Sequence, residues 1–316
     1  MIRPANSPCP ELSVVLCTYN NADSLERTLE QLNGQVFSSN FSVEYIIVDN
    51  NSTDSTPNRV KKFCDTNPCF TYVFEEKQGL SHARNTGTRF ALGKHLLFTD
   101  DDAEIPNNWI QKYLEIIQQH SPVCAYSKIS VIWDQPKPWW YLNAFRPYFV
   151  ELDYGDSILH VTDIHHEFFG KNFCVLKTEI ESQGGFDPKL GRMGNKLVAG
   201  EETIIYRRMI FSTKSVIYFP DAAVGHRLKP KEYTTEHIHK LFSDGAYTAY
   251  NLAKANLSRK IAGRPIGLLV HALVSTIQST AKWLASTIQK NKPQQLLHKL
   301  IIIRSLKIVA VWISAP

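Results

Sequence analysis

Four short apolar runs, at residues 12–17, 43–48, 70–74 and 95–99, are separated by segments whose apolar residues recur at helical spacing. Runs this short, bounded by polar turns, suit strands buried on both faces. After the first run, Leu25, Leu29 and Leu32 fall on one side of a helix. After the second, a Ser/Thr/Asp cluster leads into Pro57, which is placed to start another. After the third, Leu80, Ala83, Gly87, Phe90 and Ala91 form a further helical stripe. This alternation predicts an α/β architecture, a mostly parallel sheet with helices on its faces.

Beyond residue 120 the alternation gives way to strand-like pieces rich in Trp, Tyr and Pro at 133–154, then to glycine-marked segments. From about residue 234 the pattern is helical to the end. In 266–288 the polar residues His271, Ser275, Gln278, Lys282 and Ser286 recur every three or four positions along an otherwise apolar helix. In 296–313, Lys299, Arg304 and Lys307 stand among Leu, Ile, Val and Trp312. Such stripes suit helices lying on a membrane surface better than helices crossing it, and they would also suit helices packed on the catalytic domain or forming a dimer interface.

Charge sharpens that division. Residues 1–230 hold 23 Lys+Arg against 27 Asp+Glu, a net of −4, whereas 231–316 hold 12 against 3, a net of +9. No acidic residue follows Asp244, so anionic lipid headgroups are the partner expected for the basic region, which is too apolar for nucleic acid. The expected organisation is a catalytic domain over 1–230, with a donor half at about 12–102 and an acceptor half at about 103–230, and a basic amphipathic region over 231–316. Cys9, Cys17, Cys64, Cys69, Cys124 and Cys174 show no CxxC pair, and no apolar leader precedes the first run; both point to a cytoplasmic chain, peripheral on the cytosolic face of a membrane.

In open α/β sheets, ligands bind beyond the carboxyl ends of the strands. Here those positions are Thr18-Tyr19-Asn20, Asp49-Asn50-Asn51 and Asp100-Asp101-Asp102. A helix cap accounts for the second cluster but not for three consecutive aspartates. On extended backbone, Asp100 and Asp102 share one side and offer hard oxygens to Mg²⁺ or Mn²⁺, ions that take few protein carboxylates and fill their shell with phosphate and water.

The segments VVLCTYNNADSL, IIVDNNSTDST, GLSHARNTG, LLFTDDDAEIP, FFGKNF, GGFDPKLG, AGEET and VGHRL occur in this order over about residues 12–228, and with them the chain resembles the family-2 glycosyltransferases. The resemblance implies a GT-A fold, a Rossmann-like sheet with flanking helices, here followed by a C-terminal helical appendage. It implies an inverting transferase of hexosyl or N-acetylhexosaminyl type. The donor would be a nucleoside-diphosphate sugar, with UDP the expected nucleotide, and the acceptor a hydroxyl of a glycan or lipid-linked molecule in polysaccharide or glycoconjugate synthesis. Thr18, Tyr19 and Asn20 would lie near the nucleoside, Asp49 on the base, Arg84 and Asn85 near the ribose and pyrophosphate. Asp101 would adjoin the donor, and Asp100 and Asp102 would form the DxD pair, with His226 completing the metal or phosphate site.

Glu201 and Glu202 resemble the family's acidic pair at the start of a helix. The second position, usually Asp, is Glu202 here, which leaves either residue as general base. An acceptor wall is expected from Trp139, Trp140 and His166, joined by Gly170 and Asn172 of FFGKNF. The cluster Asp163, His165, His166, Glu167 lacks HExxH spacing and is not read as a zinc site. The absence of GxGxxG after the first strand and of any GxxxxGK[ST] excludes dehydrogenase and P-loop readings. The competing reading is a non-catalytic nucleotide-binding or membrane scaffold of the same fold.

Overall fold

The computed structural model describes residues 10–192, 197–255, 260–261 and 263–314. The chain forms two compact units, one of Met1–Ile132, Val150–Pro188 and Glu201–Arg227, the other of Trp133–Phe149, Lys189–Gly200 and Leu228–Pro316. The second unit thus draws on two segments upstream of residue 230, where the charge and pattern shift alone suggested a single boundary.

In the first unit the expected alternation is present: β1 (Leu12–Thr18), α1 (Ala22–Asn33), β2 (Val43–Asp49), α2 (Thr56–Thr66), β3 (Phe70–Phe74), α3 (Leu80–Phe90) and β4 (His95–Asp100). There follow β5 (Ala103–Glu104), α4 (Trp109–His120), β6 (Cys124–Tyr126), β7 (Ile129–Ile132), β8 (Leu159–His160), β9 (Phe173–Leu176), α5 (Lys177–Ser182), α6 (Glu201–Phe211), β10 (Val216–Tyr218) and β11 (Val224–Arg227). The main sheet has the order β3-β2-β1-β4-β9-β6-β10-β8. Its first four strands are parallel, and β9 and β8 run against their neighbours. β1 and β2 are covered along their whole length, as unbroken Val/Ile/Leu runs require.

The helix α3 departs from the expected stripe. Phe90 is exposed and Leu80 only partly covered, while Ser81, Ala83, Arg84, Thr86, Gly87 and Thr88 are buried. The cause is close approach to the sheet: a Cβ on Gly87 would stand 2.4 Å from Val15 Cγ1. Small residues therefore face the sheet, and one charged side chain, Arg84, is carried inside with them.

Two register relations set up the site. Thr18 pairs with Asp49 across β1–β2, and Cys17 pairs with Asp100 across β1–β4, so the three polar clusters leave the sheet side by side. A second, small sheet, β5-β11-β7, pairs His226 with Ala103 and so brings the late histidine beside the aspartates.

The second unit contains α7 (Thr235–Ala255), α8 (Ile266–Ile288) and α9 (Lys292–Ser314). Its 133–149 segment is a 3-10 turn and aromatic cluster, not the expected strands: Trp140 meets Phe145 edge-to-face and stacks on Phe149, and Tyr148 stacks on Phe242. The expected polar stripe of α8 divides. His271, Gln278 and Lys282 are exposed, Ser286 is buried and Ser275 half-buried. On α9, Arg304 donates to Tyr148 Oη, Lys307 lies over the Tyr247 ring, and Trp312 Nε1 donates to the Pro265 carbonyl. Those three residues are internal partners of the unit rather than a headgroup-facing row; Lys299 is exposed.

Among the described cysteines, Cys17, Cys64, Cys69, Cys124 and Cys174 are free; Cys9 lies outside the described residues.

Candidate active site

The site is built at the carboxyl ends of β1, β2 and β4. β4 ends at Asp100 and the chain turns through Asp101 and Asp102 instead of staying extended. The turn gives the three aspartates separate tasks. Asp101 is buried; its Oδ2 accepts from Thr18 Oγ1 at 2.7 Å and its Oδ1 from Asn21 Nδ2 at 2.6 Å. Asp101 and Thr18 therefore lock the β1 and β4 ends together.

Asp100 and Asp102 converge on one cation. The Lys171 ammonium donates to Asp102 Oδ1 and stands 3.4 Å from Asp100 Oδ2. Burial works against that charge, but the Asp102 and Asp100 carboxylates outweigh it and hold the Lys171 pKa above the usual lysine value. His226 Nε2 is 3.8 Å from Asp102 Oδ2.

Arg84 ties this cluster to α6. Its Nη1 donates to Glu201 Oε1 at 2.5 Å, its Nη2 donates to the Gly170 carbonyl at 3.2 Å, and Nη2 is 3.8 Å from Asp100 Oδ1. Burial disfavours the guanidinium charge, and Glu201, Glu202 and Asp100 restore it, leaving its pKa raised. The Glu201 carboxyl is pushed up to about 8 by burial first and by the neighbouring Glu202 second, against the pull of Arg84. Glu201 and Glu202 occupy the first turn of α6, where the helix dipole favours negative charge. One oxygen of each, Oε2, is buried without a hydrogen-bond partner.

Several residues expected at the donor also hold the fold. Arg84 is hydrogen-bonded to Glu201 and the Gly170 carbonyl, with Asp100 beside it. Asn85 donates to the Phe186 carbonyl and accepts from the Phe186 N–H, both at 2.8 Å, so it pins the GGF loop. Asp49 is fully covered, accepting from Ser52 N–H at 3.0 Å and Tyr72 Oη at 2.9 Å, and so shapes the loop. Beside it, Tyr19 is 42% exposed, and Asn20, at φ 48°, accepts from Thr53 N–H. That pair remains open to a nucleoside.

The residues expected to line the acceptor differ widely in exposure. Asn172 is buried: its Oδ1 accepts from Trp109 Nε1 and Tyr113 Oη, and its Nδ2 donates to the Lys128 and Ala222 carbonyls. It is a structural hub. Gly170 makes room for Arg84, whose Nη2 would lie 2.0 Å from a Cβ there. Trp140 is buried among aromatic rings, whereas Trp139 is 62% exposed. His166 packs its ring on Tyr154, and its carbonyl accepts from Tyr126 Oη. Asp163 caps the turn to His165 and accepts from Tyr206 through its carbonyl, so this cluster is a pinned turn.

Lys171 escaped the sequence reading. A lysine inside the apolar run FFGKNFCV was its available signal, since a buried cation implies buried carboxylates opposite.

Carboxylates at the end of the central strand, facing an acidic helix start through a shared arginine, form a two-sided site. Residues 13–183 match Glycosyl transferase family 2. The chain belongs to that family. It is a glycosyltransferase with a GT-A fold. It is 26% identical over 230 residues, 72% of this chain and 71% of the relative, to the glucosyl-dolichyl phosphate glucuronosyltransferase of Haloferax volcanii. Its fold resembles that of the mannosyltransferase PcManGT from Pyrobaculum calidifontis in complex with GDP-Man and Mn²⁺. The TM-score is 0.62 at 18% identity, over 95% of this chain and 87% of that one. It also resembles S. aureus TarS in complex with UDP-GlcNAc, with a TM-score of 0.56 at 17% identity, over 77% and 71% of the two chains.

Among the described residues, no three His, Cys, Asp or Glu side chains are assembled to hold a metal. The donor chemistry nevertheless fits a divalent ion. Asp100 and Asp102 already share a single counter-ion in Lys171, with an imidazole next to Asp102. Hard ions that take one or two carboxylates and leave the rest of their shell to phosphate suit that set.

Proposed function

We propose that the chain transfers a sugar from a nucleoside-diphosphate donor to a hydroxyl of a glycan or lipid-linked acceptor, with inversion, and that Glu202 is the general base. The observation that carries this is the Arg84 bridge, 2.5 Å from Glu201 and 3.8 Å from Asp100, which fixes an acidic helix start against the strand-end aspartates. Glu201 is held by that bridge. Glu202 is less covered than Glu201 and is not part of the bridge, which leaves it the freer of the two carboxyls to take a proton.

Chemically, the hydroxyl gives its proton to Glu202 as its oxygen attacks the anomeric carbon, and the bond from that carbon to the diphosphate breaks in the same displacement. Attack opposite the leaving group inverts the centre. Asp100, Asp102 and His226 would hold Mn²⁺ or Mg²⁺, which when bound offsets charge growing on the diphosphate. Tyr19 and Asn20 would border the nucleoside, and Arg84 would act by position, keeping α6 and β4 in register.

UDP is the first nucleotide to test. The purified chain, given UDP- and GDP-sugars with Mn²⁺, should be stabilised by its own donor and should release free nucleoside diphosphate when acceptor is supplied. Stabilisation by nucleotide with no release for any donor and acceptor class would instead favour a nucleotide-binding scaffold. We also propose that the chain works in the cytoplasm, peripheral on a membrane, because the basic charge is concentrated in the C-terminal unit.

A further inference from the structure

The helix α8 is packed inside out. In a water-soluble bundle the aliphatic stripe of a helix faces its neighbours and the small polar residues face water. Here the residues buried along α8 are Ala272, Ser279 and Ser286, spaced seven apart, and the seam they form lies along α9. The branched side chains point the other way. Val270, Leu273, Val274, Ile277, Leu284 and Ile288 are all exposed, Ile277 by 72% and Ile288 by 83%. At 100° per residue these six fall within one side of the helix, opposite Ala272, Ser279 and Ser286. A contiguous aliphatic face of this length marks a contact surface, and small residues in a helix–helix seam with aliphatic residues outward are the arrangement favoured where the surroundings are themselves apolar.

We infer that this face of α8 is the surface that enters an anionic lipid monolayer, with the helix lying in the plane of the interface. The inference rests on the membrane-surface reading of the C-terminal unit and names the side chains responsible. Charge selects lipid over a second copy of the chain. Ten basic residues and no acidic one follow Asp244 in the sequence. Lys282, on the polar side of α8 next to Ser286, and Lys290 and Lys292 at the turn into α9 are all exposed. Two such surfaces brought together would repel, whereas phosphate headgroups complement them. No described helix is long and apolar enough to cross a membrane, which fits a helix that lies on the surface.

The test is flotation of the full chain with phosphatidylcholine vesicles, with and without phosphatidylglycerol, for the wild type and the double variant Ile277→Ser/Leu284→Ser. The wild type should float with the anionic vesicles at low salt and much less with the neutral ones. The variant should bind at least about tenfold more weakly, with thermal unfolding unchanged because both side chains already face outward. If the pair does lower stability, Ile288→Ser, the most exposed of the set, carries the same comparison. Anionic-vesicle binding that is equal in variant and wild type overturns the assignment of this face and leaves the membrane-surface reading standing. A wild type that binds no vesicle overturns both. A wild type that sediments as a dimer without lipid, and a variant that sediments as a monomer, assign the face to a second copy and overturn the lipid inference.

Discussion

Arg84 Nη1 and Glu201 Oε1 stand 2.5 Å apart with both side chains buried, joining α3 to the first turn of α6. Removing the arginine leaves the buried Glu201 carboxyl and the Gly170 carbonyl without their donor, at a cost of about 1–3 kcal/mol. Arg84→Met should therefore lower stability by about that amount in urea unfolding, and Arg84→Lys should recover only part of it, since a lysine cannot reach Glu201 and the Gly170 carbonyl in the same fork. A loss below about 1 kcal/mol for Arg84→Met would mean that the pair is not what joins the two helices.

Gly170→Ala tests the same junction from the other side. The added Cβ would meet Arg84 Nη2 at 2.0 Å, and with the guanidinium held by Glu201 the arginine has little freedom to retreat. The expected loss is about 1–3 kcal/mol of stability, as for overpacking generally. In the double variant with Arg84→Met the two losses should not add, because the second change removes the clash.

The pH dependence of stability follows from Glu201, whose pKa rises from 4.5 to about 8 on folding. The folded chain keeps a proton that the unfolded chain gives up, so this contribution to stability is complete below pH 4.5 and is lost as pH rises through about 8. Thermal unfolding of the wild type, followed upward from about pH 5, should fall relative to Glu201→Gln, which has no proton to lose. Parallel curves for the two proteins would show that Glu201 is already ionised at the lower pH.

Much of the frame was legible from pattern. The apolar runs of β1, β2 and β4 are covered on both faces, and buried strands of that kind leave an unbroken apolar signature; β3, at the edge of the sheet, leaves Thr71 and Phe74 exposed. Their carboxyl ends then had to gather Thr18, Asp49 and Asp100 on one edge. The division of labour within the clusters was not legible. Asp101 and Asp100 are adjacent and identical in sequence, and only the turn after β4 gives one to Thr18 and Asn21 and leaves the other facing Lys171. Arg84 and Asn172 are polar residues in motif positions that suggest ligand contact, yet their partners are over eighty and forty residues away. Long-range hydrogen bonds of this sort leave no local period to read. The inversion of α8 was hidden for a related reason: its polar positions recur at helical spacing, and spacing alone does not say which face meets α9.

Glu202→Gln should reduce turnover by about two to four orders of magnitude, the contribution typical of a general base, with nucleotide affinity close to wild type. The comparison is with Glu201→Gln, which disturbs the Arg84 bridge and should show its defect in stability as well as rate. Equal nucleotide binding in both, with turnover lost only in Glu201→Gln, would exchange their roles.

Lys171 gives the last prediction. Its ammonium serves as counter-ion to both Asp100 and Asp102, so a divalent ion arriving alone must compete with a buried internal cation that is already hydrogen-bonded. A nucleoside diphosphate changes that balance, because its phosphates add ligands for the ion and negative charge for the lysine. Calorimetry on the wild type should therefore show weak Mn²⁺ binding without nucleotide and much tighter binding with UDP. Lys171→Met keeps the length of the side chain and removes its charge. It should tighten nucleotide-free Mn²⁺ binding by about tenfold or more, equivalent to about 1.4 kcal/mol, while Asp102→Asn in the same background should abolish the gain. Unchanged or weaker Mn²⁺ binding in Lys171→Met, in a protein whose unfolding shows it to be folded, would mean that the lysine supports the two carboxylates as ligands and does not compete for them.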